Sequence, residues 1–155
     1  MLKGIGGSNP PPSASGLLFQ MPTTEDTETT EEFENNSITD SVIGAAIAVH
    51  RELGPGLLES AYEKCLAFEL GRTGLAVAVQ QEIPIAYKGQ TIDCGYRADL
   101  IVEGKVLLEL KSVEQLLPVH TAQVLTYLKL SGLHTALLIN FNVQLLKNGI
   151  KRLSL

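Results

Sequence analysis

Asp99, Glu109 and Lys111 have the types and spacing that hydrolytic chemistry needs, the last two inside Glu109-Leu110-Lys111. They interrupt two apolar runs, residues 98–102 and 106–110, that are otherwise suited to a buried sheet. Charges in such segments are costly unless they are paired or bound to a metal. Two carboxylates on neighbouring strands, with the Leu110 carbonyl as a third oxygen, suit Mg²⁺ (or Mn²⁺), which takes oxygen ligands and keeps several waters. A metal acidifies bound water and yields a nucleophile near neutral pH. Lys111 is placed to position that water, or to meet charge building on a phosphate. Such a set suits hydrolysis of a phosphodiester.

The spacing also constrains geometry. Glu103-Gly104 marks a turn between the two runs, so they read as a β-hairpin. Side chains alternate faces along a strand, so a two-residue loop would set Asp99 and Glu109 on opposite sides. A loop with an odd number of residues returns them to one face. Val102-Glu103-Gly104 is the expected loop, because a three-residue hairpin wants Gly at its last, left-handed position. One face then carries Arg97, Asp99, Ile101, Leu107, Glu109 and Lys111, and the other is wholly apolar. A structural Asp/Glu–Lys cluster on an exposed sheet face has the same spacing, and D-x9-E-x-K alone is a weak pattern.

Two helices should precede this sheet. Ile38, Val42, Ile43, Ala46, Val49 and Leu53 recur at helical spacing, which predicts a helix over 38–53, capped by Ser37 and ended by Gly54-Pro55. His50, near its end, reads as a structural hydrogen-bonding residue. A second helix is expected over 57–73, with Gly74 as its stop. Glu59 and Tyr62 share a face of it, and Glu59 by itself reads as a first-turn acid favoured by the helix dipole. Strands follow over 77–87, interrupted at Pro84, over 90–102 and over 106–111, an antiparallel meander. A third helix over 118–130 puts Gln123 and Tyr127 on one face. It leads to a buried strand over 135–141, parallel to the third by a crossover connection, and an edge strand over 147–155 closes the chain.

Residues 1–37 are rich in Gly, Pro, Ser, Thr and Glu, which predicts a disordered acidic, Pro-rich tail. Met21 is a second candidate start. One of the twelve Lys and Arg and six of the seventeen Asp and Glu lie in this tail, which leaves eleven of each in residues 38–155. A neutral domain lacks the broad basic surface of non-specific nucleic-acid binders, though not a local basic groove. No apolar run is long enough to span a membrane, and Lys3 has no apolar core after it to make a signal peptide. Cys65 and Cys94 form no metal-spaced motif and read as small core residues. A reduced, cytoplasmic setting is expected.

Asp99, Glu109-Leu110-Lys111 and the following helix resemble the PD-(D/E)XK nuclease superfamily. In that superfamily an earlier helix donates a further acid, and some branches carry Gln-x-x-x-Tyr in the later helix. Glu59 and Gln123-Val124-Leu125-Thr126-Tyr127 match those places. Gly56-Leu57-Leu58-Glu59-Ser60-Ala61-Tyr62 reads G-x-x-E-x-x-Y, the signature of the GxxExxY family of small bacterial proteins. The segments 48–56, 93–100 and 139–142 also look like that family.

The resemblance implies a restriction-endonuclease-like α/β core over 38–155: a mixed β-sheet, antiparallel meander plus a parallel crossover strand, flanked by helices. It implies an active site of Glu59, Asp99, Glu109 and Lys111. Asp99, Glu109 and the Leu110 carbonyl would bind Mg²⁺ or Mn²⁺, and Glu59 either binds a second ion or orients groups around the first. Gln123, Tyr127 and Tyr62 would contact substrate or support the site. The implied activity is Mg²⁺-dependent hydrolysis of nucleic acid, DNA or RNA, with a homodimer or protein partner supplying specificity. Two alternatives stay open: a non-catalytic nucleic-acid-binding or dimerisation module that retains the fold, and a hydrolase of small phosphorylated molecules.

Overall fold

In the computed structural model, residues 24–155 are described, with side chains from Thr30 onward. A five-stranded sheet carries two helices on one face and one on the other. The elements run α1 (Thr24–Leu53), α2 (Glu59–Arg72), β1 (Val77–Glu82), β2 (Ile85–Tyr87), β3 (Gln90–Ile92), β4 (Arg97–Val102), β5 (Val106–Lys111), α3 (Pro118–Ser131), β6 (Thr135–Asn140) and β7 (Ile150–Ser154). Sheet order is β1-β4-β5-β6-β7, and only β5 and β6 are parallel. This is the expected mixed α/β architecture, with α3 as the crossover. Among the described residues, no helix is long and apolar enough to cross a membrane.

The core is split by the sheet. Leu100, Val102, Val106, Leu108, Leu110, Leu137 and Ile139 pack with Val42, Ala46, Tyr62 and Leu66 of α1 and α2. Ile101, Leu107, Ala136 and Leu138 pack with Val124, Tyr127 and Leu128 of α3. The period-two alternation of β4 and β5 thus holds, except that Ala98 is buried in the α3 cluster. The face that bears Glu109 is covered by α3, not exposed.

Several boundaries differ from expectation. Helix α1 starts at Thr24, not at residue 38. Ser37 is inside the helix, where its carbonyl accepts from Ser41 Oγ. Two contacts tie this part of α1 to the sheet: Asn35 donates to Thr135 Oγ1 at 3.3 Å, and Glu34 pairs with Lys105. Residues 1–23 lie outside the described residues. The strands expected over 77–87 and 90–102 each break in two, at Pro84 and at Gly95 (φ 74°), where Asp93 Oδ1 accepts the Gly95 amide. The freed pieces β2 and β3 form a separate hairpin. Cys65 packs against the core, but Cys94 sits exposed in the link between β3 and β4, because that link never joins the sheet. His50 Nε2 lies 2.8 Å from the Val143 carbonyl, a structural role that ties the end of α1 to the segment after β6.

The β4–β5 turn has the expected odd number of residues but a different register. Val102 pairs with Val106, so the loop is Glu103-Gly104-Lys105. Glu103 takes φ 55° and Gly104 φ 64°. A long-range clamp holds that turn: Glu103 N–H donates to the Ala76 carbonyl, and Glu103 Oε1 accepts the Ala76 amide, both at 2.8 Å. Facing is preserved, while the residue opposite Asp99 becomes Glu109 rather than Leu107.

Candidate active site

Strands β4 and β5 separate where their charged residues begin. The paired register ends at Leu100–Leu108, one step before Asp99 would meet Glu109. There the Leu110 amide donates to Asp99 Oδ2 at 2.7 Å. A side chain takes over a position of the ladder, which fixes the Asp99 carboxylate at the mouth of the opened strands.

Glu109 lies inside that mouth. It is only 5 % exposed. Its Oε1 is 3.6 Å from Lys111 Nζ. Its Oε2 is buried with no hydrogen-bond partner. Burial, then the negative charge of Asp99, push its pKa from 4.5 up to about 8, and Lys111 offsets this only in part. Burial also raises the pKa of Asp99, against the hydrogen bonds from Leu110 and Gln80.

The α3 face supplies the surroundings of Lys111. Lys111 Nζ donates to Gln123 Oε1 at 3.5 Å, and Gln123 Nε2 donates to Tyr127 Oη at 2.9 Å. The Tyr127 ring stands 5.8 Å from that of Tyr96. The spacing Gln-x-x-x-Tyr thus serves to orient one amide: Tyr127 takes its nitrogen, so its oxygen faces the ammonium.

The G-x-x-E-x-x-Y segment closes the opposite side. Gly54 (φ 69°) and Gly56 (φ 97°) turn the chain between α1 and α2. Tyr62 Oη donates to the Gly54 carbonyl at 2.6 Å and accepts the Leu57 amide at 3.1 Å. Its ring is fully buried and stacks on Phe141 at 4.4 Å. Tyr62 thus ties down the loop before Glu59. That loop grips the residue after Lys111, since Ser112 Oγ donates to the Leu57 carbonyl at 2.6 Å and Ser112 N–H to Glu59 Oε1 at 3.3 Å. Asn140 holds the next residue, with Val113 bonded in both directions at 3.1 and 2.9 Å.

Glu109, Lys111, Gln123 and Tyr127 thus form one chain of contacts, which Asp99 joins through the Leu110 amide and Glu59 through Ser112. Three neighbours went unread in the sequence. Ser112 is one. Glu63, four residues after Glu59, had a helical-spacing signal. Gln80, which donates to both Glu63 Oε2 and Asp99 Oδ1, had none.

A divalent cation fits these groups. The donors are hard oxygens, and one of them, Glu109 Oε2, is buried without a partner, which an unpaired carboxylate oxygen tolerates poorly. Among the described residues, no three His, Cys, Asp or Glu side chains converge into a metal-holding group. Asp99 and Glu109 are the two carboxylates at the mouth that could hold such a cation.

No curated protein and no solved structure matches the chain. The family model of the PD-(D/E)XK nuclease superfamily matches residues 36–153, which spans α2, the whole sheet and α3. The chain belongs to the PD-(D/E)XK nuclease superfamily.

Proposed function

We propose that this protein is a metal-dependent nuclease that hydrolyses phosphodiester bonds of DNA or RNA, with Mg²⁺ or Mn²⁺ as its cofactor. The observation that carries the reading is the buried, unpartnered Glu109 Oε2, on a carboxylate near enough to Asp99 to feel its charge. Superfamily membership supports the same chemistry. Within the superfamily, the motif from Gly56 to Tyr62 supports placement with the GxxExxY proteins.

The contacts support a division of roles. Asp99 and Glu109, together with the Leu110 carbonyl, would hold the cation. The chemistry such a cation supplies is acidification of water and neutralisation of phosphate charge. Lys111, oriented by Gln123, meets the attacking water or the charge that builds on phosphate oxygen. Tyr127 orients Gln123. Glu59 fixes Ser112 and adds negative charge at the rim, where a second ion would bind.

A second reading is a non-catalytic nucleic-acid-binding or dimerising module. Phe68, 68 % exposed on α2 beside a groove lined by Val49, Leu53 and Cys65, favours it. Purified Lys111→Ala protein separates the two. An enzyme loses cleavage and keeps nucleic-acid binding. A module has no cleavage to lose, and binding by both proteins with cleavage by neither in Mg²⁺ or Mn²⁺ would sink the nuclease reading.

A further inference from the structure

Among the described residues, three non-glycine residues have positive φ: Gln80 (51°), Lys88 (48°) and Glu103 (55°). Lys88 and Glu103 each precede a glycine in a tight hairpin turn, where such angles are ordinary. Gln80 is different, because it lies inside β1. The ladder is intact on both sides of it, with Val79 on Leu100 and Gln81 on Ala98. The strand position opposite Gln80 is Asp99.

A left-handed glutamine inside a strand is strained, and such strain persists where the surroundings impose it. Here the kink coincides with a side chain that bridges two elements. Gln80 Nε2 donates to Glu63 Oε2 of α2 at 2.6 Å and to Asp99 Oδ1 at 3.3 Å. With Leu110 N–H on Oδ2, both oxygens of Asp99 are then held. The strong bond to Glu63 also sets which end of the amide faces Asp99: the nitrogen, a donor, and not the oxygen.

The chemistry of the amide suits this place. A lysine or arginine at position 80 would fix Asp99 equally well, but its charge would compete with a cation for the carboxylate. A neutral amide orients both carboxylates and cancels neither.

We propose that Gln80 is a positioning residue for Asp99, oriented by Glu63, and that its strained backbone is retained for cation binding rather than for stability. The inference rests on the metal-site reading above. It makes stability and metal affinity move apart. In Gln80→Gly the backbone strain is relieved, because glycine adopts positive φ freely, while the amide is lost.

The test is Mn²⁺ affinity, read by electron paramagnetic resonance of the free ion, together with metal-free melting of the full chain. Gln80→Gly should bind Mn²⁺ about tenfold more weakly, the scale on which orienting partners of metal ligands act, and should melt at or above the unchanged protein. Gln80→Leu should lose the same affinity. Unchanged Mn²⁺ affinity in the glycine variant overturns the inference. So does weaker binding accompanied by a lower melting temperature, which would make position 80 a structural one. Absence of Mn²⁺ binding by the unchanged chain overturns the metal reading itself, and this inference with it.

Discussion

Lys111 Nζ lies 3.6 Å from Glu109 Oε1, yet the other oxygen of that carboxylate, Oε2, is buried with no partner. One cation thus serves one of the two carboxylate oxygens. Asp99, held by the Leu110 amide, adds a second negative charge to the same mouth. Lys111 alone leaves Glu109 with its pKa near 8, so a proton or a metal ion is needed to complete the site at neutral pH.

That has a direct consequence for stability. The carboxyl of Glu109 titrates near 4.5 when unfolded and near 8 when folded. Between those values the folded state binds more protons than the unfolded one, so metal-free stability falls as pH rises through that window. The whole effect is on the order of 5 kcal/mol, and the raised pKa of Asp99 acts in the same direction. Melting in EDTA from pH 5 to pH 9 should show a steady decline. Glu109→Gln should flatten it. A melting temperature that rises across this range would contradict the burial of an unpaired carboxylate.

Metal binding should run the opposite way. A cation displaces the proton from Glu109, so its affinity rises with pH up to about 8. Calorimetry in buffers of different ionisation enthalpy should detect protons released on Mg²⁺ or Mn²⁺ binding at pH 7. Binding without proton release would place the ion elsewhere.

Tyr62→Phe removes the hydroxyl that serves Gly54 and Leu57, and leaves the stack on Phe141. It should cost about 1–3 kcal/mol of stability, because a buried amide and carbonyl lose their partner. Metal affinity should change little, since Tyr62 reaches the site only through the loop. Urea unfolding and Mn²⁺ titration of the same sample check both halves. A large loss of affinity with unchanged stability would return Tyr62 to the site itself.

Gln123→Ala should weaken cleavage without weakening metal binding, because Gln123 touches Lys111 and neither carboxylate. About tenfold in kcat is the expected scale for an orienting partner. The rate measured at saturating metal is the readout. An equal loss of metal affinity would mean that α3 positions the ligands and not Lys111.

How far the sequence reached is visible residue by residue. The facing of Asp99, Glu109 and Lys111 was legible, because strand alternation and an odd turn fix it locally. The register was not, because Glu103 is held left-handed by Ala76, a partner far away in the chain. Gln80 was hidden for a related reason. Its place opposite Asp99 depends on the β1–β4 pairing, a long-range one across the looped-out β2–β3 hairpin. The early start of α1 was masked by its acidic composition, whereas Asn35 and Glu34 tie it to the sheet through contacts with β6 and the β4–β5 turn.

The central claim is that these carboxylates and Lys111 cut phosphodiester bonds with a divalent cation. It is tested most directly by incubating the full chain with labelled single- and double-stranded DNA and RNA in Mg²⁺ or Mn²⁺. EDTA and Lys111→Ala protein are the controls. The expected result is cleavage of at least one substrate that needs the metal and falls by about 10²–10³ in the variant, the scale for loss of a group that stabilises developing charge. A folded, metal-loaded protein that cuts none of the four, or a variant that cuts as fast as the unchanged chain, would contradict it.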